Sequence, residues 1–239
     1  MRKVVQWLFS NNGLTKLLEL MKTRWNFFQG VKTMAHNEEE HLRLPYGASE
    51  DWLIAFVDVE TTGLNPGYHE MVDAGIVTST LDGEKRRQFH CRIMPDHPQR
   101  ASREIQNING FTEQRWSQFD ALNKPEAVKQ VQQFLIKDGD KNLLFCAHNE
   151  SFDYPFLDHL FRSADEQVRE LFDYTLDLPS IAWGRGYRQL HASKLVNILG
   201  VEEEPKGDDP ETNPWEHTGL TGALKNLRIY RALMESDTY

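Results

Sequence analysis

The chain has 239 residues, 39% of them hydrophobic, which is enough for one ordinary domain with a real core and an appendage. Its net charge of −9 is uneven, because residues 1–34 carry a balance of +5 and the remainder therefore carries −14. Such an acidic body argues against a broad duplex-binding surface, which depends on many contacts from Lys and Arg to phosphate. It leaves room for a metal-dependent nuclease, in which bound cations meet the phosphate.

Residues 1–34 are predicted to form an amphipathic helical extension. The apolar residues that follow helical spacing are Leu14, Leu17, Leu18, Met21, Trp25 and Phe28. This stripe must be covered, so we expect it to pack on the body, on a second copy in a homodimer or on a protein partner. A basic helix at a membrane surface is the less favoured alternative. Residues 35–50 are predicted to be a linker, and residues 51–239 the main domain.

The cysteines and the lack of targeting signals indicate a cytoplasmic protein. Cys91 and Cys146 are far apart in strand-like runs, and we interpret both as reduced, buried thiols. No stretch is long enough to span a bilayer, and the apolar run near the start is too short for a signal peptide.

The main domain is predicted to begin with strands and then to alternate helices and strands. The predicted strands are at residues 53–60, 71–79, 87–94 and 143–147, with an Asp-Gly hairpin turn at residues 81–84. The predicted helices are at residues 102–107, 125–137, 189–199 and 220–234, and one more follows the fourth strand through Phe161. This order is typical of an α/β sandwich with a mixed sheet.

Two acids stand at the end of the first predicted strand. Asp58 and Glu60 are two residues apart, so both side chains point to the same face of that strand. Carboxylates this close repel each other unless a positive charge lies between them, and Mg²⁺ or Mn²⁺ suits an all-oxygen site. The alternative is a pair of solvated acids at a strand end. We disfavour it because the flanking residues are apolar, which predicts a strand buried on both faces.

Two further residues extend this pattern. Asp153 follows the buried strand at residues 143–147 and falls in the first turn of the next helix, at the edge where open α/β sheets bind ligands. Taken alone, it is better explained by helix capping. His217 precedes the last predicted helix, and its imidazole suits proton transfer from water near neutral pH. A lone His at a helix start is more often a surface or capping residue.

Together these segments resemble the DnaQ-like 3′–5′ exonucleases, which carry an Asp-Glu-Asp-Asp acid set and a catalytic His. The resemblance extends over roughly residues 51–235, and residues 1–34 have no counterpart in it. The matching segments are residues 58–64 (Asp-Val-Glu-Thr-Thr-Gly-Leu), 108–112 (Ile-Asn-Gly-Phe-Thr), 148–153 (His-Asn-Glu-Ser-Phe-Asp) and 175–178 (Thr-Leu-Asp-Leu).

The resemblance implies an RNase H-like fold, two divalent ions (Mg²⁺ or Mn²⁺) and release of nucleoside 5′-monophosphates from the 3′ end of single-stranded DNA or RNA. Asp58 would bridge both ions, Glu60 would bind one, and Asp153 would support the site directly or through water. His217 would deprotonate the attacking water. The residues that would contact the substrate are Thr61, Thr62, Leu64, Asn149 and Phe152.

The chain departs from the pattern at Gly222. The resemblance puts the fourth acid there, and a glycine has no side chain to bind a metal. A substitute oxygen could come from the acidic stretch at residues 201–216 or, one turn further along the helix, from Asn226. The candidates in that stretch are Asp208, Asp209 and Glu216. Alternatively, water fills the position, or catalysis is impaired and the domain binds nucleic acid or a protein partner. A phosphodiesterase acting on short oligonucleotides is a further alternative.

Overall fold

The computed structural model describes residues 49–139, 141–202 and 217–236. All of these residues belong to one compact unit, which begins at Ser49. The helical extension predicted at residues 1–34 and most of the linker predicted at residues 35–50 lie outside the described residues. Both stay predictions.

The described residues contain one mixed five-stranded sheet, as expected from the sequence. Its strands are β1 (Trp52–Thr61), β2 (Met71–Ser79), β3 (Lys85–Arg92), β4 (Asn142–Ala147) and β5 (Tyr174–Asp177), in the spatial order β3-β2-β1-β4-β5. Strand β2 is antiparallel to both β1 and β3, whereas β4 is parallel to β1 and β5 is parallel to β4. The strand that ends with Asp58 and Glu60 is therefore central, with paired neighbours on both sides.

Helices cover both faces of this sheet. They are α1 (Arg103–Asn109), α2 (Glu113–Gln118), α3 (Lys124–Leu135), α4 (Glu150–Arg162), α5 (Leu178–Gly184), α6 (Ala192–Leu199) and α7 (Gly219–Glu235). Apolar residues of α3 and α4 pack on one face, and those of α5, α6 and α7 pack on the other. Strand β1 contributes Val57 to the first core and Phe56 to the second, and both are fully buried. The burial of β1 on both faces confirms the interpretation of its apolar run.

The sequence did not predict two short helices, and one predicted helix starts late. Helix α2 has six residues and α5 has seven, which is too short for a clear helical period. The Asp177 side chain caps the start of α5 by accepting a hydrogen bond from the Ser180 N–H, and Pro179 occupies its first turn. The helix predicted at residues 189–199 begins only at Ala192.

Both cysteines are free and buried, as expected. Burial raises the pKa of the Cys91 thiol to about 12 and also raises that of Cys146, so neither is a ready nucleophile. None of the helices in the described part of the chain is long and apolar enough to cross a membrane.

Candidate active site

Asp58 and Glu60 lie at the carboxyl end of β1. Asp58 pairs with Gly75 of β2, and Glu60 pairs with Asp73, where the strand register becomes irregular. Glu60 is only 9% exposed, and its Oε1 lies 3.1 Å from Nε2 of His217. The predicted acid pair and the predicted base are therefore brought together from positions more than 150 residues apart in the chain.

Asp153 joins this pair from the first turn of α4. Its side chain is 3% exposed, and its Oδ1 accepts a hydrogen bond from the Val59 N–H at 3.1 Å, between the two acids of β1. Burial raises the pKa of Asp153 to about 8, which the Val59 N–H opposes. The Glu60 carboxylate raises the pKa further and the Lys225 ammonium lowers it. A cation placed beside this carboxyl would favour its ionised form.

The position of His217 is set by the start of α7. Thr218 caps this helix, and Thr218 and Thr221 exchange side-chain and backbone hydrogen bonds in a capping box. The Gly219 N–H donates to Asp73 Oδ1 at 2.9 Å, and Asp73 Oδ2 lies 2.7 Å from His90 Nε2. Sequence reasoning missed Asp73. A buried acid inside the apolar strand β2 is the signal that could have identified it.

Glycines allow the backbone of α7 to lie directly against β1 and β2. A Cβ added at Gly75 would lie 2.0 Å from backbone atoms of Gly219 and Leu220, and one added at Gly219 would lie 2.5 Å from the Asp58 carbonyl oxygen. One turn further along, a Cβ at Gly222 would lie 2.1 Å from Oδ2 of Asp58. The position that the resemblance assigns to a fourth acid therefore faces the Asp58 carboxylate.

The side chain of Asn226 anchors α7 to the sheet. Its Nδ2 donates to the Val57 carbonyl oxygen at 3.3 Å, and the residue is fully buried. Its Oδ1 is buried with no hydrogen-bond partner among the described residues. Its metal-binding role stays a prediction, and Asp208, Asp209 and Glu216 lie outside the described residues.

The oxygen donors at this site suit a hard divalent cation, but their present arrangement does not point them at a common position. Within residues 49–139, 141–202 and 217–236, no group of three His, Cys, Asp or Glu side chains is arranged to hold a metal ion. Glu60 is close to His217, and Asp153 is hydrogen-bonded to the Val59 N–H. Binding a cation would require these carboxylates to turn toward it.

The turn after β1 is held together by the hydroxyl groups of its two threonines. Thr61 Oγ1 donates to the Gly63 carbonyl oxygen at 2.6 Å, and Thr62 Oγ1 accepts from the Glu70 N–H at 2.9 Å. Both threonines are buried, whereas Leu64 is 73% exposed. Among the substrate-binding residues predicted in this turn, Leu64 is the one that presents its side chain to solvent.

The other predicted substrate-binding residues lie where β4 leads into α4. Asn149 adopts a left-handed backbone (φ 73°), and its N–H donates to Asp177 Oδ1 at 3.1 Å. Phe152 is half-buried, with its ring centroid 5.0 Å from that of Phe156. Beside them, burial lowers the pKa of His148, and so does the nearby Lys225 charge. Sequence reasoning also missed Lys225, which is three residues after Gly222 on α7.

Comparison with known proteins places these residues in a wider context. The model of an exonuclease family, RNase T, matches residues 55–204, which is more than half of the chain. This range includes Asp58, Glu60 and Asp153 and ends before His217.

Several curated relatives and many solved structures resemble the chain, among them the following three. Ribonuclease T of Haemophilus ducreyi is 26% identical over 191 residues, which cover 77% of this chain and 85% of that protein. DNA polymerase III PolC-type of Thermotoga petrophila is 31% identical over 115 residues, covering 48% of this chain but only 8% of the polymerase. The nuclease domain of 3′hExo, a DEDDh family member bound to rAMP, superposes with a TM-score of 0.62 at 14% identity, covering 78% of this chain and 93% of that domain. The last likeness confirms the RNase H-like fold.

Proposed function

Because the chain belongs to the RNase T family of exonucleases, within the DnaQ-like 3′–5′ exonucleases, we propose that it shortens single-stranded DNA or RNA from the 3′ end and releases nucleoside 5′-monophosphates. The observation that carries this proposal is the contact of His217 with Glu60 at the end of β1, where Asp58 and Asp153 also lie. Three acids and one imidazole at a single strand end are the groups that metal-assisted phosphodiester hydrolysis requires.

The acids would hold divalent cations, Mg²⁺ or Mn²⁺, which supply positive charge to the scissile phosphate. The resemblance implies two ions. The Asp58 carboxylate lies against Gly222 of α7, and Asp153 is bonded to the N–H of Val59, between Asp58 and Glu60 in the chain. With Gly222 opposite Asp58, the described residues offer three carboxylates for this purpose.

His217 would act on the attacking water. Its Nε2 accepts the water proton as the water oxygen bonds to the terminal phosphorus, and the bond from phosphorus to the 3′ oxygen breaks. The released 3′ oxygen takes up a proton, and the mononucleotide leaves with its 5′ phosphate. In the structure Nε2 faces Glu60 Oε1, so cation binding by Glu60 would free the imidazole for this role.

The substrate would be a single strand or a short oligonucleotide. The chain outside residues 1–34 carries a charge of −14, which suits few phosphate contacts better than a long duplex interface. Exposed Leu64 beside the acids offers an apolar surface to a terminal base. A homodimer or protein partner through residues 1–34 and a cytoplasmic location stay predictions from the sequence.

The direct test uses a short single strand labelled at its 5′ end, as DNA and as RNA. With Mn²⁺ or Mg²⁺ we expect a ladder that shortens from the 3′ end, with nucleoside 5′-monophosphates as products, and no shortening in EDTA. A circular single strand is the control, because it has no end and must survive. A domain that binds these strands but releases nothing under Mn²⁺ would support the impaired, binding-only alternative instead.

A further inference from the structure

We propose that Tyr68 and Arg100 form a binding surface for the part of a single strand that precedes its terminal nucleotide. The Tyr68 ring would stack on a base, and the Arg100 guanidinium would bind a phosphate beside it. This inference rests on the proposed exonuclease function and extends the same site toward the 5′ side of the substrate. Neither residue belongs to the segments that carry the resemblance to the exonucleases.

The loop between β1 and β2 carries Tyr68 and starts two residues after Glu60. Its ends are joined, because the Thr62 N–H donates to the Glu70 carbonyl oxygen at 2.8 Å and the Glu70 N–H donates to Thr62 Oγ1 at 2.9 Å. Two large side chains of this small loop are open to solvent, Leu64 at 73% and Tyr68 at 53% exposure. A strand that leaves the acids across Leu64 would therefore meet Tyr68 next.

Hydrogen bonds inside the loop fix the position of the Tyr68 ring. The Asn65 carbonyl oxygen accepts from the N–H groups of Tyr68 at 3.2 Å and His69 at 2.8 Å, and the Asn65 N–H donates to His69 Nδ1 at 3.1 Å. The His69 ring packs against Gly63, where an added Cβ would lie only 2.3 Å from it, and contacts the Tyr68 ring at right angles, 4.9 Å between centroids. A ring that is already fixed loses little conformational entropy when a base stacks on it.

Arg100 adds positive charge to this exposed ring. Its guanidinium carbon lies 4.6 Å from the centroid of the Tyr68 ring, and its Nη1 donates to the Tyr68 carbonyl oxygen at 2.7 Å. A guanidinium has five N–H donors, so others can bind phosphate oxygens. Among the residues that the structure describes, no carboxylate forms an ion pair with Arg100. An aromatic ring with an adjacent arginine is the combination that surfaces for single strands use.

A buried ion pair below the surface holds the two parts together. Glu70, at the end of the loop, is 3% exposed, and its carboxylate contacts the Lys124 ammonium. It also accepts the N–H groups of Asp96 at 3.1 Å and His97 at 2.8 Å. The Arg100 N–H in turn donates to the His97 carbonyl oxygen at 3.0 Å. Because this buried network already fixes the loop, the exposed contact between the ring and the guanidinium adds little stability and is free to serve binding.

The first test compares two substrates that differ in whether anything precedes the terminal nucleotide. The p-nitrophenyl ester of thymidine 5′-monophosphate contains one nucleotide, with nitrophenol as the leaving group, whereas a short single strand continues on its 5′ side. In Tyr68→Ser we expect KM for the strand to rise by about tenfold, the usual loss for one stacked base, and KM for the ester to stay the same. Tyr68→Phe keeps the ring and should restore binding of the strand.

The second test measures the phosphate contact of Arg100. Fluorescence anisotropy of a labelled strand gives Kd over a range of salt concentrations, in an Asp58→Asn background so that the strand is not degraded. In Arg100→Met we expect the slope of log Kd against log salt to fall by about 0.7, the value for one phosphate contact of a single strand. Arg100→Lys keeps the charge and should restore the slope.

Tyr174→Ser and Arg162→Met are the matched controls. Tyr174 is 55% exposed, and its ring stacks on Trp52 at the start of β1, at the opposite end of the sheet from the acids. Arg162 lies in the last turn of α4 and pairs with Asp158. Neither change should alter KM for the strand or the salt slope.

An unchanged KM for the strand in Tyr68→Ser, or an equal rise for strand and ester, would overturn the inference, since the second result would mean that the loop only supports the acids. If circular dichroism shows that Tyr68→Ser does not fold, Tyr68→Leu takes its place, because it keeps apolar bulk without an aromatic face. If neither substrate is degraded but binding of the strand still depends on Tyr68 and Arg100, the exonuclease proposal fails and the binding surface stands. A wild-type chain that does not bind the strand would overturn both.

Discussion

The two halves of the site are built in different ways. At the end of β1 the backbone of Asp58 and Glu60 is held by pairing with β2, in a central strand that is buried on both faces. At the start of α7 the chain reaches the same point through glycines whose backbone contacts the strands, and it brings the His217 imidazole to Glu60. The comparison teaches that a strand positions its side chains through backbone pairing. A helix positions its side chains at the same point only if its backbone can contact the strands closely.

Replacing Asp58 tests the strand half and has the largest expected effect. Asp58→Asn keeps the shape of the side chain but removes the negative charge that a cation requires, so we expect exonuclease activity to fall to background in the oligonucleotide assay. Asp158→Asn is the matched control, because Asp158 lies on the surface of α4 and pairs with Arg162 four residues on. Substantial activity in Asp58→Asn would contradict the proposal that Asp58 binds a divalent cation.

Replacing His217 tests the helix half. His217→Ala should lower kcat by about 10²–10⁴, the usual contribution of a positioned general base. The apparent Mn²⁺ affinity should change much less, because the acids remain. A large loss of metal affinity with a small loss of kcat would instead make His217 a ligand.

A substitution that disrupts the contact between α7 and β2 has the next largest expected effect. In Gly75→Ala the new methyl group would overlap the Gly219 backbone, so we expect the free energy of unfolding to fall by about 1–3 kcal/mol, together with activity. Chemical denaturation measures the first effect. Gly184→Ala is the control, since nothing lies within 4 Å of its added Cβ, and it should be neutral. Equal stability of the two variants would show that the contact between Gly75 and the Gly219 backbone can relax to accommodate a methyl group.

Replacing Asp153 with a neutral residue is expected to raise stability while abolishing activity. The pKa of Asp153 in the folded protein, about 8, lies above its ordinary value of 3.8. Its ionisation therefore lowers the free energy of unfolding progressively as pH rises from about 4 to 8. In EDTA, Asp153→Asn should therefore have the higher melting temperature at pH 8, with the gap closing toward pH 4. Activity should be lost throughout. A gap that does not depend on pH would mean that ionisation is not the cause.

Trimming Leu64 has the smallest expected effect. Leu64→Ala removes exposed apolar surface beside the acids, so KM for a single strand should rise by about tenfold with kcat little changed. Leu64→Met should restore most of the affinity. A fall in kcat alone would place Leu64 in the chemistry rather than in binding.

Much of the fold followed from local patterns. Long apolar runs identified β1 and β2, and helical spacing identified α3 and α7, because buried faces impose a period on the residues that form them. The short helices α2 and α5 were missed because six or seven residues carry no clear period, and the equally short α1 was predicted although its period is no clearer. The acids of β1 were visible because charge inside an apolar strand is costly.

By itself, the sequence predicted the buried strand β1 from its apolar run, and it singled out the three acids and the imidazole as candidate site residues because they are polar groups at the ends of predicted elements. Only the tertiary structure decided how α7 meets the strand. The contact of Gly219 with Gly75, the position of Gly222 against Asp58 and the charge of Lys225 near Asp153 all join residues distant in the chain. No local period encodes such contacts, since they depend on how closely two separate elements can approach.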